Sequence, residues 1–363
     1  MLMQKDARIY VAGHRGLAGS AILRRLQAAG YNNLLTRSHA ELDLTDQEAV
    51  ARFFASQKPH YVFLAAARVG GIYANATYPA EFIHQNLAIQ INVIHQSYLN
   101  NVRRLIFLGS SCIYPKYAPQ PIAEAHLMTG PLEPTNAPYA VAKISGIEMC
   151  WAYNRQYGTH FIPLMPTNLY GLGDNFDLLS SHVLPALLRK FHLAHLALQR
   201  SWPAIDVDER RFGPIPDDFK QTLGVAPQCG KSLPDAVCQV TLWGSGTPRR
   251  EFLFADDLGD AALFVMNMPW QVLTASLPDQ APLLFNVGSG SDQTIADLAL
   301  LSARITGYSG AVKWDASRPD GPPQKLLDVS RLQKLGWQAS TPLQAGLQKT
   351  YAWYLAQTSD IGK

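Results

Sequence analysis

A glycine loop near the start of the chain constrains the fold more than any other feature. The apolar run IYVAG (Ile9 to Gly13) leads into Gly13, His14, Arg15, Gly16, Leu17, Ala18 and Gly19, and then into the helical stretch AILRRLQAAG. Glycines spaced GxxGxxG between a strand and a helix permit a tight turn, close approach of a phosphate-bearing ligand and tight helix packing. The helix N-terminus adds amides and partial positive charge. The spacing alone also fits an ordinary glycine turn; in this strand–turn–helix setting it predicts dinucleotide binding.

The pattern continues in the same rhythm. NLLTR, a helix around DQEAVARFFASQ, the buried-looking runs Tyr61 to Ala66 and Arg104 to Leu108, and a long helical segment from Pro79 to Asn100 between them predict a parallel, doubly wound α/β sheet of Rossmann type. Pro138 suits the first turn of a helix over YAVAKISGIEMCWAYNRQY, which Gly158 ends. Pro163 and Pro166 imply that the strand FIPLMPTNLYG leaves the sheet at its end. Residues 1–171 read as the nucleotide-binding domain, with about 241–265 returning to it. Residues 172–363 read mainly as a smaller substrate-binding lobe whose tail from Ile295 is largely helical. Ser201 to Asp235, with five prolines and mixed charge, reads as an aperiodic insertion loop within a long link of about 194–239.

Composition narrows the function classes. A net charge of +3 over 363 residues does not indicate nucleic-acid or membrane binding. No window approaches a membrane span, and the start MLMQKDARIYVAG enters a strand with no signal-peptide pattern, so the cytoplasm is expected. Cys112, Cys150, Cys229 and Cys238 lack paired spacing; neither a metal site nor a disulfide framework is expected, and the thiols read as free.

At the end of the second strand stands Arg37, where an NAD site would place an acid for the ribose hydroxyl. Arg15 and Arg37, with His39 nearby, suit the 2′-phosphate of NADP, and equally read as solvated surface cations. Ala65, Ala66 and Ala67 would let an adenine ribose lie against the backbone, or simply pack in the core. Tyr139 and Lys143 lie one helical turn apart and share a face. A neighbouring ammonium favours the phenolate and so lowers the tyrosine pKa, giving a usable proton donor and acceptor. Ser110, after the strand IFLGS, suits a hydroxyl on the substrate oxygen. Glycine loop, Ser, Tyr and Lys in this order look like an extended short-chain dehydrogenase. Cys112 projects to the same side as Ser110 and is either a tunable thiolate base or a small buried apolar residue. His182 is either catalytic or a structural histidine.

The stretches GSSCIYPK, LEPTNAPYAVAK, MPTNLYG, SHVLPALL and WGSGTPRREF, with AGHRGLAGSAI, LAAARVGGI, RPDGPPQKLLD and LGW, closely resemble the GDP-L-fucose synthase family of extended short-chain dehydrogenases/reductases. The likeness covers nearly the whole chain. It implies conversion of GDP-4-keto-6-deoxy-D-mannose to GDP-L-fucose: epimerisation at C3 and C5 with Cys112 as base and His182 as acid, then NADPH-dependent reduction at C4 with Tyr139, Lys143 and Ser110. It implies cofactor contacts along Leu108, Gly109, Ser110 and Ser111, at Lys143 and His182, and along Pro166, Thr167, Asn168 and Leu169. For the GDP moiety the matching positions are Lys190, Trp243, Arg250, Asp320 and Lys325, and a homodimer joined through segments 80 to 100 and 139 to 157 is implied. Two positions depart from the family: Lys190 replaces an arginine common there, and His39 stands where some members carry a second phosphate-binding arginine. The link 194–239 is also longer than usual. A nucleotide-sugar 4-epimerase or 4,6-dehydratase would not need Cys112, and a non-catalytic NADP-binding regulator would not need Ser110, Tyr139 and Lys143 together.

Overall fold

The computed structural model describes residues 3–224, 239–275, 277, 282–318 and 320–359. Its elements divide between two units: Met1–Leu169, Glu251–Ser291 and Leu326–Thr341, and Tyr170–Arg250, Asp292–Lys325 and Pro342–Lys363.

The first unit opens with β1 (Ile9–Ala12), α1 (Leu17–Ala28), β2 (Leu34–Leu35), α2 (Gln47–Gln57), β3 (Tyr61–Leu64), α3 (Ile72–Thr77), α4 (Pro79–Leu99), β4 (Arg104–Leu108), α5 (Ala137–Tyr157), β5 (Phe161–Pro166) and β6 (Asn168–Tyr170). The second contributes α6 (Val183–Leu198), α7 (Trp202–Phe212), α8 (Asp217–Thr222) and β7 (Gln239–Trp243). After β8 (Arg249–Phe254) the chain is back in the first unit for α9 (Ala255–Asn267), α10 (Trp270–Thr274) and β9 (Phe285–Val287). There follow β10 (Asp292–Thr294), α11 (Ile295–Thr306), β11 (Ala311–Asp315), β12 (Gln324–Lys325), α12 (Ser330–Lys334) and α13 (Leu343–Ser359).

Six strands form one parallel sheet in the order β2-β1-β3-β4-β5-β9. Successive side chains of β1 point to opposite faces, and both faces are covered. Ile9 and Val11 join a core with Ile22 and Leu26 of α1 and Leu258 and Val265 of α9, while Tyr10 and Ala12 join Phe53 and Phe54 of α2, Val93 of α4 and Ile147 of α5. Burial on two faces explains why the strands read as continuous apolar runs, each large side chain contributing about 1.5–3 kcal/mol. From β1 the chain places β2 on one side and β3 on the other, so the glycine loop after β1 stands at the switch point where such sheets bind ligands. β5 pairs as far as Pro166, and β6 leaves for another sheet, as the prolines imply. Helix α5 starts at Ala137 with Pro138 in its first turn and ends at Gly158, φ +67°.

Two expectations need correction. The segments returning to the first unit are Glu251–Ser291 and Leu326–Thr341, where about 241–265 was expected; β7 instead pairs with β11 in the second unit, Trp243 opposite Asp315. The tail from Ile295 is largely helical as expected, in α11, α12 and α13, with the short strands β11 and β12 between α11 and α12. The stretch after Ser201 is not a loop up to Thr222. It forms α7, with Pro203 in its first turn, and α8. Residues 225–238 of the link, with Cys229 and Cys238, lie outside the described residues.

Helix α7 was hidden because its buried face includes a carboxylate. Arg189 of α6 and Asp208 of α7 are both fully buried. Nε of Arg189 donates to Asp208 Oδ1 at 2.8 Å, and its other nitrogens donate to the carbonyls of Phe176, Phe212 and Gly213. The Tyr354 hydroxyl bonds to the same carboxylate. Removing one member of a buried pair strands the other charge, at a cost of about 3–5 kcal/mol. Asp208→Ala should therefore lose about that much stability in denaturant unfolding, and a loss below about 1 kcal/mol would show that the pair does not hold α7 in place.

Candidate active site

In the first unit each loop glycine has its own reason. Gly13 has φ +81°, and a Cβ there would meet the Ala66 backbone at 2.7 Å. A Cβ on Gly19 would fall 2.1 Å from the Gly13 carbonyl oxygen. At Gly16 it would meet protein at 3.5 Å, ordinary contact, so this glycine leaves room that the protein itself does not fill. That is the position where a pyrophosphate would approach the backbone. His14 hydrogen-bonds to the Arg37 backbone, and its buried Nδ1 has no protein partner. Burial, then the Arg15 charge, holds the imidazole below its usual range. These residues fit a phosphate-bearing dinucleotide.

Arg15 is exposed, and the Arg37 guanidinium lies 5.5 Å from the Phe53 ring centroid while donating to the Thr36 carbonyl. The sequence reading missed Glu41. Its carboxylate accepts from Ser38 N and Oγ, and those bonds, then Arg37 and Arg15, keep it low. His39 is exposed and faces Asp43 at 3.8 Å.

At the end of β4 the chain turns through a 3₁₀ segment, Ser111–Ile113, capped by Ser110, whose Oγ accepts from Cys112 N at 3.2 Å. Ser111 is buried and Cys112 half-buried. Ser110 also hydrogen-bonds the Tyr139 hydroxyl, and Cys112 lies close enough that its negative form would oppose the phenolate. Tyr139 packs edge-on to Phe82, 6.4 Å between centroids. Lys143, 3% exposed, donates to the Leu108 carbonyl at 2.8 Å and lies 5.9 Å from the Tyr139 ring. The structure thus brings Ser110, Cys112, Tyr139 and Lys143 together.

One expectation fails. Tyr139 is not lowered in the protein alone: burial, then Cys112, pushes it well up, against the Ser110 bond. Lys143 spends its bond on Leu108 and is itself pulled down to about 7 by burial. A desolvated, part-neutral amine cannot stabilise a phenolate. Further along, Thr167 Oγ1 and Asn168 Nδ2 donate to the Glu251 carbonyl, and Leu169 packs against the core, so the side chains of the segment Pro166 to Leu169 are engaged in structure. Asn136, just before α5, was also overlooked; its Oδ1 is buried with no protein partner, three residues from Tyr139.

In the second unit His182 caps the start of α6, where crowding and then the Lys325 ammonium hold it below its usual range. Lys190 is half-buried, 5.7 Å from the Phe219 ring and electrostatically coupled to Asp218, both on α8. Arg250 and Lys325 pair in register on β8 and β12. Asp320 lies near Arg250, but its carboxylate is taken by Ser245 N at 2.9 Å and Oγ at 2.6 Å. Trp243, at the end of β7, is 66% exposed. No group of three or more metal-binding side chains occurs among the described residues.

A glycine loop at the switch point of a parallel sheet, with Ser, Tyr and Lys in the β4–α5–β5 crossover, defines a dinucleotide-dependent enzyme of the short-chain type. The family described as "NAD dependent epimerase/dehydratase family" matches residues 9–208 and 212–279, and the chain belongs to it. Among curated relatives, "Putative GDP-L-fucose synthase 2" of Arabidopsis thaliana is 50% identical, covering 98% of this chain and 93% of its own. "GDP-L-fucose synthase" of Escherichia coli is 49% identical, covering 96% of each. The crystal structure of a GDP-D-glycero-L-gluco-heptose synthase from Campylobacter jejuni in the presence of NADPH is 40% identical and superposes with a TM-score of 0.86, covering 97% of this chain and 99% of that one.

Proposed function

We propose that this chain converts GDP-4-keto-6-deoxy-D-mannose to GDP-L-fucose, epimerising C3 and C5 and then reducing the C4 ketone with NADPH. The observation that carries the reading is the thiol of Cys112 beside the Ser110–Tyr139 hydroxyl pair. Reduction alone needs the hydroxyls; a tunable thiol among them suits removal of a proton from carbon next to a ketone.

The ketone acidifies the hydrogens at C3 and C5. Cys112 as thiolate takes each proton and His182 as imidazolium returns one to the carbon; the thiol then gives its proton to solvent and the imidazole regains one from it, so the pair is reset for the second epimerisation and each is redox-neutral. An anionic substrate near His182 offsets the Lys325 charge and restores the protonated form. When bound, NADPH supplies the hydride for C4. Tyr139, protonated at neutral pH because its pKa is raised, gives its phenolic proton to the C4 oxygen while Ser110 holds that oxygen. Gly13, Gly16, Gly19, Arg15, Arg37 and Lys143 hold the cofactor in the first unit; Lys190, Trp243, Arg250 and Lys325 serve the GDP moiety in the second, with Asp320 setting their turn. Exposed Ile91 and Leu99 on α4, and Val141 and Tyr157 on α5, support a homodimer through these helices, and the enzyme works in the cytoplasm.

A proton balance tests the place of Lys143. A polyanionic dinucleotide favours the ammonium and raises its pKa from about 7. Between the two values binding takes up a proton, and NADPH affinity falls as pH rises through that window. Calorimetry near pH ~8 in buffers of different ionisation heat should show uptake approaching about one proton, reduced in Lys143→Met; equal uptake in both would remove Lys143 from the cofactor site. For the function itself, NADPH oxidation should begin on adding GDP-4-keto-6-deoxy-D-mannose, and its absence would overturn the reading.

A further inference from the structure

We propose that Arg318 is a further nucleotide contact: a purine base takes over the face of Trp243 that its guanidinium covers, and the released charge moves to the diphosphate. The inference rests on the GDP-sugar reading and adds a residue, the first of RPDGPPQKLLD, to which the sequence assigned no role.

The local geometry supports the exchange. With Asp315 opposite Trp243 in the β11–β7 pair, the chain turns back, Arg318 N donating to the Asp315 carbonyl at 3.2 Å. This carries the Arg318 guanidinium to 5.0 Å from the Trp243 ring centroid. An indole left 66% exposed at a strand end is a stacking surface, and a guanidinium over it shows that the face accepts a flat partner.

The guanidinium is loosely held. Its ion pair with Asp315 is long, 3.9 Å, and its side chain is 58% exposed. The Asp315 carboxylate is occupied by Ser317 N and Oγ, at 3.1 and 2.6 Å. Asp320 is occupied by Ser245 in the same way. Arg250 lies against Gly321, where a Cβ would meet its Nη2 at 2.8 Å, and Lys325 is its register partner. An open aromatic face with three cations, and carboxylates already bonded, matches a purine nucleoside diphosphate.

The test titrates GDP into the wild-type chain, Arg318→Ala and Arg318→Lys, by calorimetry and by tryptophan fluorescence with Trp243→Phe as the control. Arg318→Ala should bind GDP about tenfold more weakly and with a shallower salt dependence. Arg318→Lys should regain part of the affinity, and NADPH affinity and thermal stability should not move, because both side chains are exposed. Equal or tighter GDP binding by Arg318→Ala overturns the proposal and leaves the GDP reading intact. Failure of the wild-type chain to bind GDP overturns both.

Discussion

Replacing Cys112 with serine is expected to lower proton exchange at C3 and C5 by about 10²- to 10⁴-fold, the contribution of a positioned base, while NADPH binding stays unchanged. The sulfur and oxygen side chains have the same shape, so the Ser110–Cys112 backbone bond and the 3₁₀ turn survive. What changes is acidity. A thiol titrates at about 8.5 and can be brought to thiolate near neutral pH, whereas an alcohol cannot. Solvent deuterium incorporation into the keto-sugar, followed by NMR without NADPH, measures exchange apart from reduction. Wild-type exchange in Cys112→Ser would mean that the thiol only packs against Tyr139 and that another group is the base.

Tyr139→Phe should show the opposite division. Reduction at C4 should fall by about 10²- to 10⁴-fold, and exchange at C3 and C5 should persist. Phenylalanine keeps the edge-on contact with Phe82 and removes only the hydroxyl that Ser110 engages. Stopped-flow NADPH oxidation beside the deuterium assay gives both numbers for one variant. Loss of both activities together would instead place Tyr139 in substrate positioning.

Much of this was legible in the sequence, for physical reasons. The parallel sheet was visible because strands covered on both faces read as apolar runs, and β1, β3, β4 and β5 are such strands. Ser110, Tyr139 and Lys143 were legible because a strand end and one helical turn fix their neighbourhood. The second unit was harder. Helix α7 turns Asp208 inward onto Arg189, so apolar periodicity could not mark it. The pKa of Tyr139 was misread because spacing gives proximity to Lys143 but not the Leu108 carbonyl that competes for the ammonium. Glu41 had no motif to announce it, Asn136 stood within LEPTNAPYAVAK with no role assigned, and Arg318, the first residue of RPDGPPQKLLD, is brought to Trp243 by the turn after β11, a contact between residues 75 positions apart in the chain.

The most direct test of the central claim is to supply GDP-4-keto-6-deoxy-D-mannose and NADPH in deuterated water and assign the product by NMR. The account predicts GDP-L-fucose, with solvent deuterium at C3 and C5, and NADPH consumed in equal amount. A reduced 6-deoxy sugar with unchanged configuration and no deuterium at C3 and C5 would contradict it, leaving a reductase in which Cys112 and His182 have no chemical role.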